Sequence, residues 1–305
     1  MLADRGLAEL PSSVRARVTC MSIRQFAEAR DSEFILFGRN PEFSSLCQLR
    51  RACEQQAPVC CLVHSILSPN AVANYLGLLC QAEYYDRIIV TSAAARTAFL
   101  SMCDQTIELA AERGLIGTDK VWERPEVVTI PLGVDDALLE PVDKGQSRRV
   151  LNIPSEANVV LYLGRLSEDY KADLEVIFRS IQQISASGTD VMLVIAGNQT
   201  DNGYVSRLES LARELRIREQ TRFVNNFAPY MKRLLYSASD IFVSPADNIQ
   251  ESYGISIVEA MATGLPIVAS NWSGYRDLVH DGVNGFLIDT WVDPAVFKQA
   301  SMLAA

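Results

Sequence analysis

This sequence predicts an α/β fold with two parallel sheets, and three observations carry that prediction. The second half alternates short apolar runs with amphipathic stretches of helical period, the pattern of βαβ units. The first half repeats the alternation less regularly. Between them, VDDALLEPVDKGQSRR (134–149) is polar, contains Pro141 and Gly145, and reads as a linker near the middle of the chain.

In the first half, SEFILFG (32–38), PVCCLVH (58–64), DRIIVTS (86–92) and EVVTIPLG (126–133) read as strands, with helical segments between them. After the linker, NVVLYLG (158–164) is a buried strand and KADLEVIFRSIQQIS (171–185) has helical periodicity. DVMLVIAG (190–197) is a strand ending in glycine, and YVSRLESLARELRI (204–217) an amphipathic helix. TRFVNN (221–226) and DIFVSP (240–245) are strands flanking the helix APYMKRLLYSAS (228–239). GISIVEAMATG reads as helix, PIVAS as strand, GYRDLVHDG as helix and GFLID as strand. Two Rossmann-like halves facing one another are expected, spanning 1–138 and 149–305.

Composition narrows the function classes. The chain has 305 residues, 49% hydrophobic and 21% charged, enough for two domains with sizeable cores. Net charge is −9 and the basic residues form no long blocks, which argues against a nucleic-acid surface. There is no apolar run of about 18 residues, so no transmembrane segment is predicted. The N-terminus lacks the parts of a signal peptide. Seven cysteines include no CxxC pair, and Cys60 and Cys61 read as buried thiols. Together these features point to the cytoplasm, with a peripheral place at a membrane left open. With only two histidines, His64 and His280, no histidine-rich metal site is expected, and no metal cofactor is predicted.

Ligands of open α/β sheets bind beyond the carboxyl ends of strands, so candidate residues are sought there. Gly164 ends one strand, with Arg165 next and Lys171 opening the following helix. A planar guanidinium and an ammonium suit a diphosphate, although a solvated loop with two surface cations would look the same. Gly197 and Asn198 allow a tight turn at another strand end, structural or facing a nucleoside. The loop VSPADNIQESYG leads into a helix starting near Gly254, whose first N–H groups, at Ile255 and Ser256, would face an anion. Glu259 lies one turn further on the same side. A carboxylate there suits a ribose diol beside the phosphate, while the ordinary alternative is a glutamate on a helix surface. His64 follows a first-half strand, at a cleft position if the halves face each other; His280 reads as a surface turn.

These residues resemble a family. ESYGISIVE, with Glu251 and Glu259 eight positions apart, is similar to the E-x7-E motif of family 4 glycosyltransferases, retaining enzymes of the GT-B fold. EAMATGLPIVAS continues as that family does, and GRLSEDYK resembles its phosphate-binding Gly-Arg with a lysine six residues after the arginine. VTIPLGVD, DRIIVTS and DGVNGFL also match. The resemblance implies transfer of a sugar from a nucleoside-diphosphate-sugar donor to an acceptor hydroxyl, saccharide, lipid-linked or other, with retention and without a metal. It implies that Glu259 holds the ribose and Glu251 the donor sugar. Arg165, Lys171 and the Gly254–Ser256 helix start would hold the diphosphate, and His64 would line the sugar site. Against the family pattern, a Gly-rich loop after the first strand and the closing helices are missing, so an incomplete first domain and truncation at both ends are expected. A non-catalytic nucleotide-sugar binder, or an inactive fragment, is the alternative. A nicotinamide oxidoreductase is disfavoured because no GxGxxG turn follows a strand.

Overall fold

Each expected strand forms, and the strands sort into two sheets. The computed structural model describes residues 22–29, 34–39, 42–64, 66, 71–116, 124–138, 140, 142–168, 171–199, 203–248 and 251–291. In the first domain, β1 (Leu36–Arg39), β2 (Val59–Val63), β3 (Arg87–Val90) and β4 (Glu126–Thr129) form a parallel sheet in the order β1-β2-β3-β4. Helices α1 (Ile23–Glu28), α2 (Phe43–Ala52), α3 (Ala71–Gln81) and α4 (Ala93–Glu112) accompany it. Val59, Cys61 and Val63 alternate into the core beside Ile88, Val90, Phe43 and Phe99. Burial pushes the Cys61 thiol up to about 12, so it stays a thiol, as expected; Cys60, on the other face of β2, is only half-buried.

A buried ion pair fastens the end of this sheet that carries the strand starts. Asp86 accepts from Arg50 Nη1 at 2.6 Å and from the Val59 N–H at 2.7 Å. Its other oxygen accepts from Arg50 Nη2 at 3.1 Å and the Glu83 N–H at 2.9 Å. Both charges are thus paired and hydrogen-bonded, the condition under which buried ions are tolerated.

The second domain is a six-stranded parallel sheet made of β5 (Asn158–Leu163), β6 (Val191–Gly197), β7 (Thr221–Asn225), β8 (Ile241–Ser244), β9 (Ile267–Ser270) and β10 (Gly285–Ile288). Its order is β10-β9-β8-β5-β6-β7. The chain therefore runs outward from β5 to β7, then returns to β8 on the other side of β5. That reversal is a topological switch point, and it opens a crevice beyond the carboxyl ends of β5 and β8.

Two sequence expectations need correction. The stretch 134–149 is more structured than a linker: a 3-10 turn, Asp136–Leu138, buries Leu138 in the second core, and α5 covers Lys144–Val150. Asp143 caps α5 by accepting from the Gln146 N–H at 2.6 Å, as an N-cap aspartate does. Buried Arg148 donates to the Ala238 carbonyl at 3.0 Å and to Asp240 at 2.8 Å, which ties α5 to the start of β8. The helix expected from Lys171 starts later, as α6 (Glu175–Ala186), so Lys171 lies in the turn before it. The reason is burial: Ala172 and Leu174 are drawn into the core, and the hydroxyl of Tyr204, which opens α7 (Tyr204–Glu214), bridges them, accepting from the Leu174 N–H and donating to the Ala172 carbonyl.

Candidate functional site

The site grows from the ends of β5 and β6. The Gly164 N–H donates to the Ala196 carbonyl at 3.1 Å and the Leu166 N–H to the Asn198 carbonyl at 2.9 Å, which carries the pairing past the strand ends. A Cβ at Gly197 would stand 1.7 Å from the Gly164 carbonyl oxygen, so only glycine fits there. Gly197 thus has a packing reason of its own, and it brings Asn198 beside Gly164. Arg165 is exposed at the tip of the turn, and its carbonyl accepts from the buried Tyr162 hydroxyl at 3.1 Å.

The second contribution comes from the loop after β8 and from α9 (Ile255–Ala262). Gly254 caps this helix with φ 105°, and a Cβ on it would meet the Tyr275 ring at 2.5 Å. Both constraints select glycine. Ser256 is buried and Ile255 more exposed. Glu259 is not a surface residue, being 6% exposed. One oxygen faces Lys232 Nζ at 2.5 Å and the other accepts from the Tyr236 hydroxyl at 2.9 Å. Lys232 and Tyr236 belong to α8 (Met231–Ala238). Burial first, and then the nearby Glu259 charge, raise the Tyr236 hydroxyl far above its usual range, so it donates.

A cavity of about 960 Å³ gathers Gly164, Arg165, Gly197, Asn198, Lys232 and Glu259 on its walls. Tyr230, 73% exposed, stands at its rim, and residues of the 135–146 segment close the far side. The other expected residues group beside it around the β8–α9 loop. Lys171 and Glu251 pair directly with one another, both mostly buried. The Lys171 Cε would lie 3.4 Å from a Cβ on Gly164, so this pair adjoins the β5 turn. Glu251 also accepts from the Tyr275 hydroxyl at 3.3 Å, and that hydroxyl is 2.8 Å from Ser244 Oγ. His64 is exposed, and its carbonyl accepts from Ser252 Oγ at 3.1 Å, which puts the first-domain histidine next to the Glu251 loop. His280 lies exposed in a turn.

Sequence reasoning missed Lys232, Tyr236, Tyr230 and Tyr275. A signal existed for two of them: Lys232 and Tyr236 stand four apart in MKRLLYSA and so share one helix face. Among the described residues, no group of three or more His, Cys, Asp or Glu side chains is placed to hold a metal, and no helix is long and apolar enough to cross a membrane.

Residues 143–303, more than half of the chain, match the family model for glycosyl transferases group 1. The chain belongs to that family. Similar proteins include the D-inositol 3-phosphate glycosyltransferase of Mycolicibacterium gilvum, 33% identical over 56% of this chain and 40% of the relative. The enzyme of the same name from Corynebacterium kroppenstedtii is 30% identical over 65% of this chain and 47% of its own length. The chain thus spans less than half the length of these curated relatives. Among solved structures, Anabaena HepE in complex with UDP superposes with a TM-score of 0.67 at 21% identity, covering 92% of this chain and 70% of that one. The same protein has been solved with UDP-glucose, with a TM-score of 0.65 and 20% identity. The two facing parallel-sheet domains, the first the smaller, have the GT-B fold of this group.

Proposed function

We propose that this group 1 chain is a retaining glycosyltransferase, moving a sugar from a nucleoside-diphosphate-sugar donor to an acceptor hydroxyl. One observation carries the reading: Arg165, Asn198 and buried Glu259 share one cavity at the switch point of the second sheet. That HepE has been solved with UDP-glucose, and that the inositol-phosphate enzymes are glycosyltransferases by name, supports the same reading.

The roles are those that the family resemblance implies, and the chemistry agrees with them. Glu259 accepts from the ribose diol, and Gly197 and Asn198 flank the nucleoside. Arg165, Lys171 and the helix start at Gly254, Ile255 and Ser256 hold the diphosphate. Glu251 accepts from hydroxyls of the donor sugar, and His64 faces the same sugar from the first domain. When the bond from the anomeric carbon to the phosphate oxygen breaks, its electron pair goes to the leaving diphosphate, where fixed cations and helix N–H groups stabilise the growing charge. The acceptor oxygen bonds to the same face of the anomeric carbon, and its proton passes to the leaving phosphate. The cleft between the domains keeps water from competing. The first domain would serve the acceptor side, and the second domain, with the Asp136–Leu138 turn and α5, the donor side. The absence of CxxC spacing and the buried thiols favour the cytoplasm.

A thermal-shift screen of UDP-, GDP- and ADP-sugars tests the proposal. A binder at a hundredfold excess over Kd stabilises the fold by about 2.7 kcal/mol. Product analysis with that donor then separates transfer from binding alone. No shift with any of the three rejects the donor site; a shift without product favours a non-catalytic binder.

A further inference from the structure

Among the described residues, the hydrogen bonds between the two domains gather on the Glu251 loop and on one short helix. Helix α10 (Tyr275–Leu278) follows Gly274, whose missing Cβ would lie 2.4 Å from the Ser252 carbonyl oxygen, so α10 is pressed against the backbone of the Glu251 loop. Further along α10, Asp277 accepts from the Ala93 N–H of α4 in the first domain at 2.5 Å. A carboxylate there meets an otherwise orphaned amide and the positive end of a 20-residue helix. The same helix start is gripped twice. Ser92, its N-cap, accepts from the Ala95 N–H at 2.9 Å and donates to the Ser252 carbonyl at 2.6 Å. Ser252 in turn donates to the His64 carbonyl, and the Tyr253 hydroxyl donates to the Leu132 carbonyl at 3.0 Å. Every one of these interdomain bonds ends on residues 252–253 or on α10.

At the other end of α10, Tyr275 is fully buried and its hydroxyl lies between Ser244 Oγ and the Glu251 carboxylate. One turn of helix therefore connects the first-domain helix to the carboxylate proposed to hold the donor sugar. We propose that α10 is a strap that couples the contact between the two domains to the placement of Glu251, with Asp277 as its latch and Tyr275 as a positioning residue. The role given to Glu251 rests on the function proposed above; the strap itself rests on the contacts alone.

Hydrogen exchange on the unliganded full chain decides the strap, and donor binding decides its purpose. In Asp277→Ala, exchange should quicken at least threefold both in the peptide covering residues 93–95 and in the one covering 251–254. Asp277→Asn keeps an acceptor oxygen and should recover most of that protection. In Tyr275→Phe, which keeps the ring that packs on Gly254, exchange should quicken at 251–254 and stay at the wild-type rate at 93–95. The affinity of Tyr275→Phe for whichever of UDP-, GDP- or ADP-glucose the wild type binds should fall at least fivefold. Its affinity for the matching free nucleoside diphosphate should change less than twofold, a split that general loosening of the fold would not produce. Faster exchange at 93–95 alone in Asp277→Ala overturns the coupling, and so does wild-type exchange at 251–254 in Tyr275→Phe. Equal loss of sugar-nucleotide and free-nucleotide affinity overturns the positioning role. A wild type that binds none of the three nucleotides rejects the proposed function instead, and the exchange measurements still decide the strap.

Discussion

At Glu259 one carboxylate oxygen faces a cation and the other a tyrosine hydroxyl, and the group lines the cavity. Lys232, its cationic partner, is 35% exposed, so neutralising the carboxylate does not strand a buried charge. Glu259→Gln should therefore cost little stability, within about 1 kcal/mol, because the amide oxygen still accepts from Tyr236. Affinity for the free nucleoside diphosphate should fall by about 1.5–3 kcal/mol, the range for hydrogen bonds to a charged group. Calorimetry showing unchanged affinity would make Glu259 an internal structural carboxylate only. Gly197 predicts the opposite profile. Its missing Cβ abuts a backbone oxygen, which no side-chain rotation can relieve. Gly197→Ala should cost at least about 3 kcal/mol in urea unfolding, the upper end of overpacking effects. A wild-type midpoint would mean that β5 and β6 part between Gly164 and Gly197.

Among the elements, α5 shows how a polar stretch becomes part of a domain. Its hold on the sheet is Asp240, which accepts from Arg148, Lys144 and the Val159 N–H. Burial works to raise the Asp240 carboxyl, but the Lys144 and Val159 hydrogen bonds and the two cations outweigh it and hold it below its ordinary value of 3.8. The sign follows. A carboxyl with a depressed folded pKa adds stability that is complete above its unfolded value and is lost as pH falls through the folded value. Asp240→Asn should therefore be less stable than wild type near neutral pH. The gap should close as pH drops from about 5 to below about 3, since the unfolded pKa is near 3.9. A gap that stays constant over that range, followed by denaturant titration, would show that charge is not what holds α5.

For the whole molecule, the proposed function raises the question of how a chain of net charge −9 would take up an anionic donor. On that proposal positive charge must be local, and Arg165, Lys171 (here paired with Glu251) and the start of α9 would supply it without a metal. EDTA should accordingly leave the Kd of the bound nucleotide within twofold and leave any sugar transfer intact. Loss of both, with recovery on adding Mn²⁺, would overturn this account. At the same scale, opposed domains bring His64 to the Glu251 loop through Ser252, across 188 positions of sequence.

The sequence by itself determined the strands, their parallel pairing and the residues at their carboxyl ends. It did so because apolar runs, glycines and helix starts are local signals, set by backbone sterics and by which faces must be buried. It placed Gly254 and Glu259 correctly relative to α9, since both lie within one helical segment. It misread the start of α6 because Ala172 and Leu174 continue a helical pattern that core packing and Tyr204 override. It read 134–149 as linker because the Arg148–Asp240 bond that makes α5 part of the second domain spans 92 positions. Only the tertiary structure decided that Lys171 pairs with Glu251, that Lys232 and Tyr236 hold Glu259, and that Tyr275 and Asp277 face different domains from one short helix. These are contacts between side chains far apart in sequence. Apart from the shared helix face of Lys232 and Tyr236, local pattern carries no trace of them, because they arise only when separate elements are packed to the density of a protein interior.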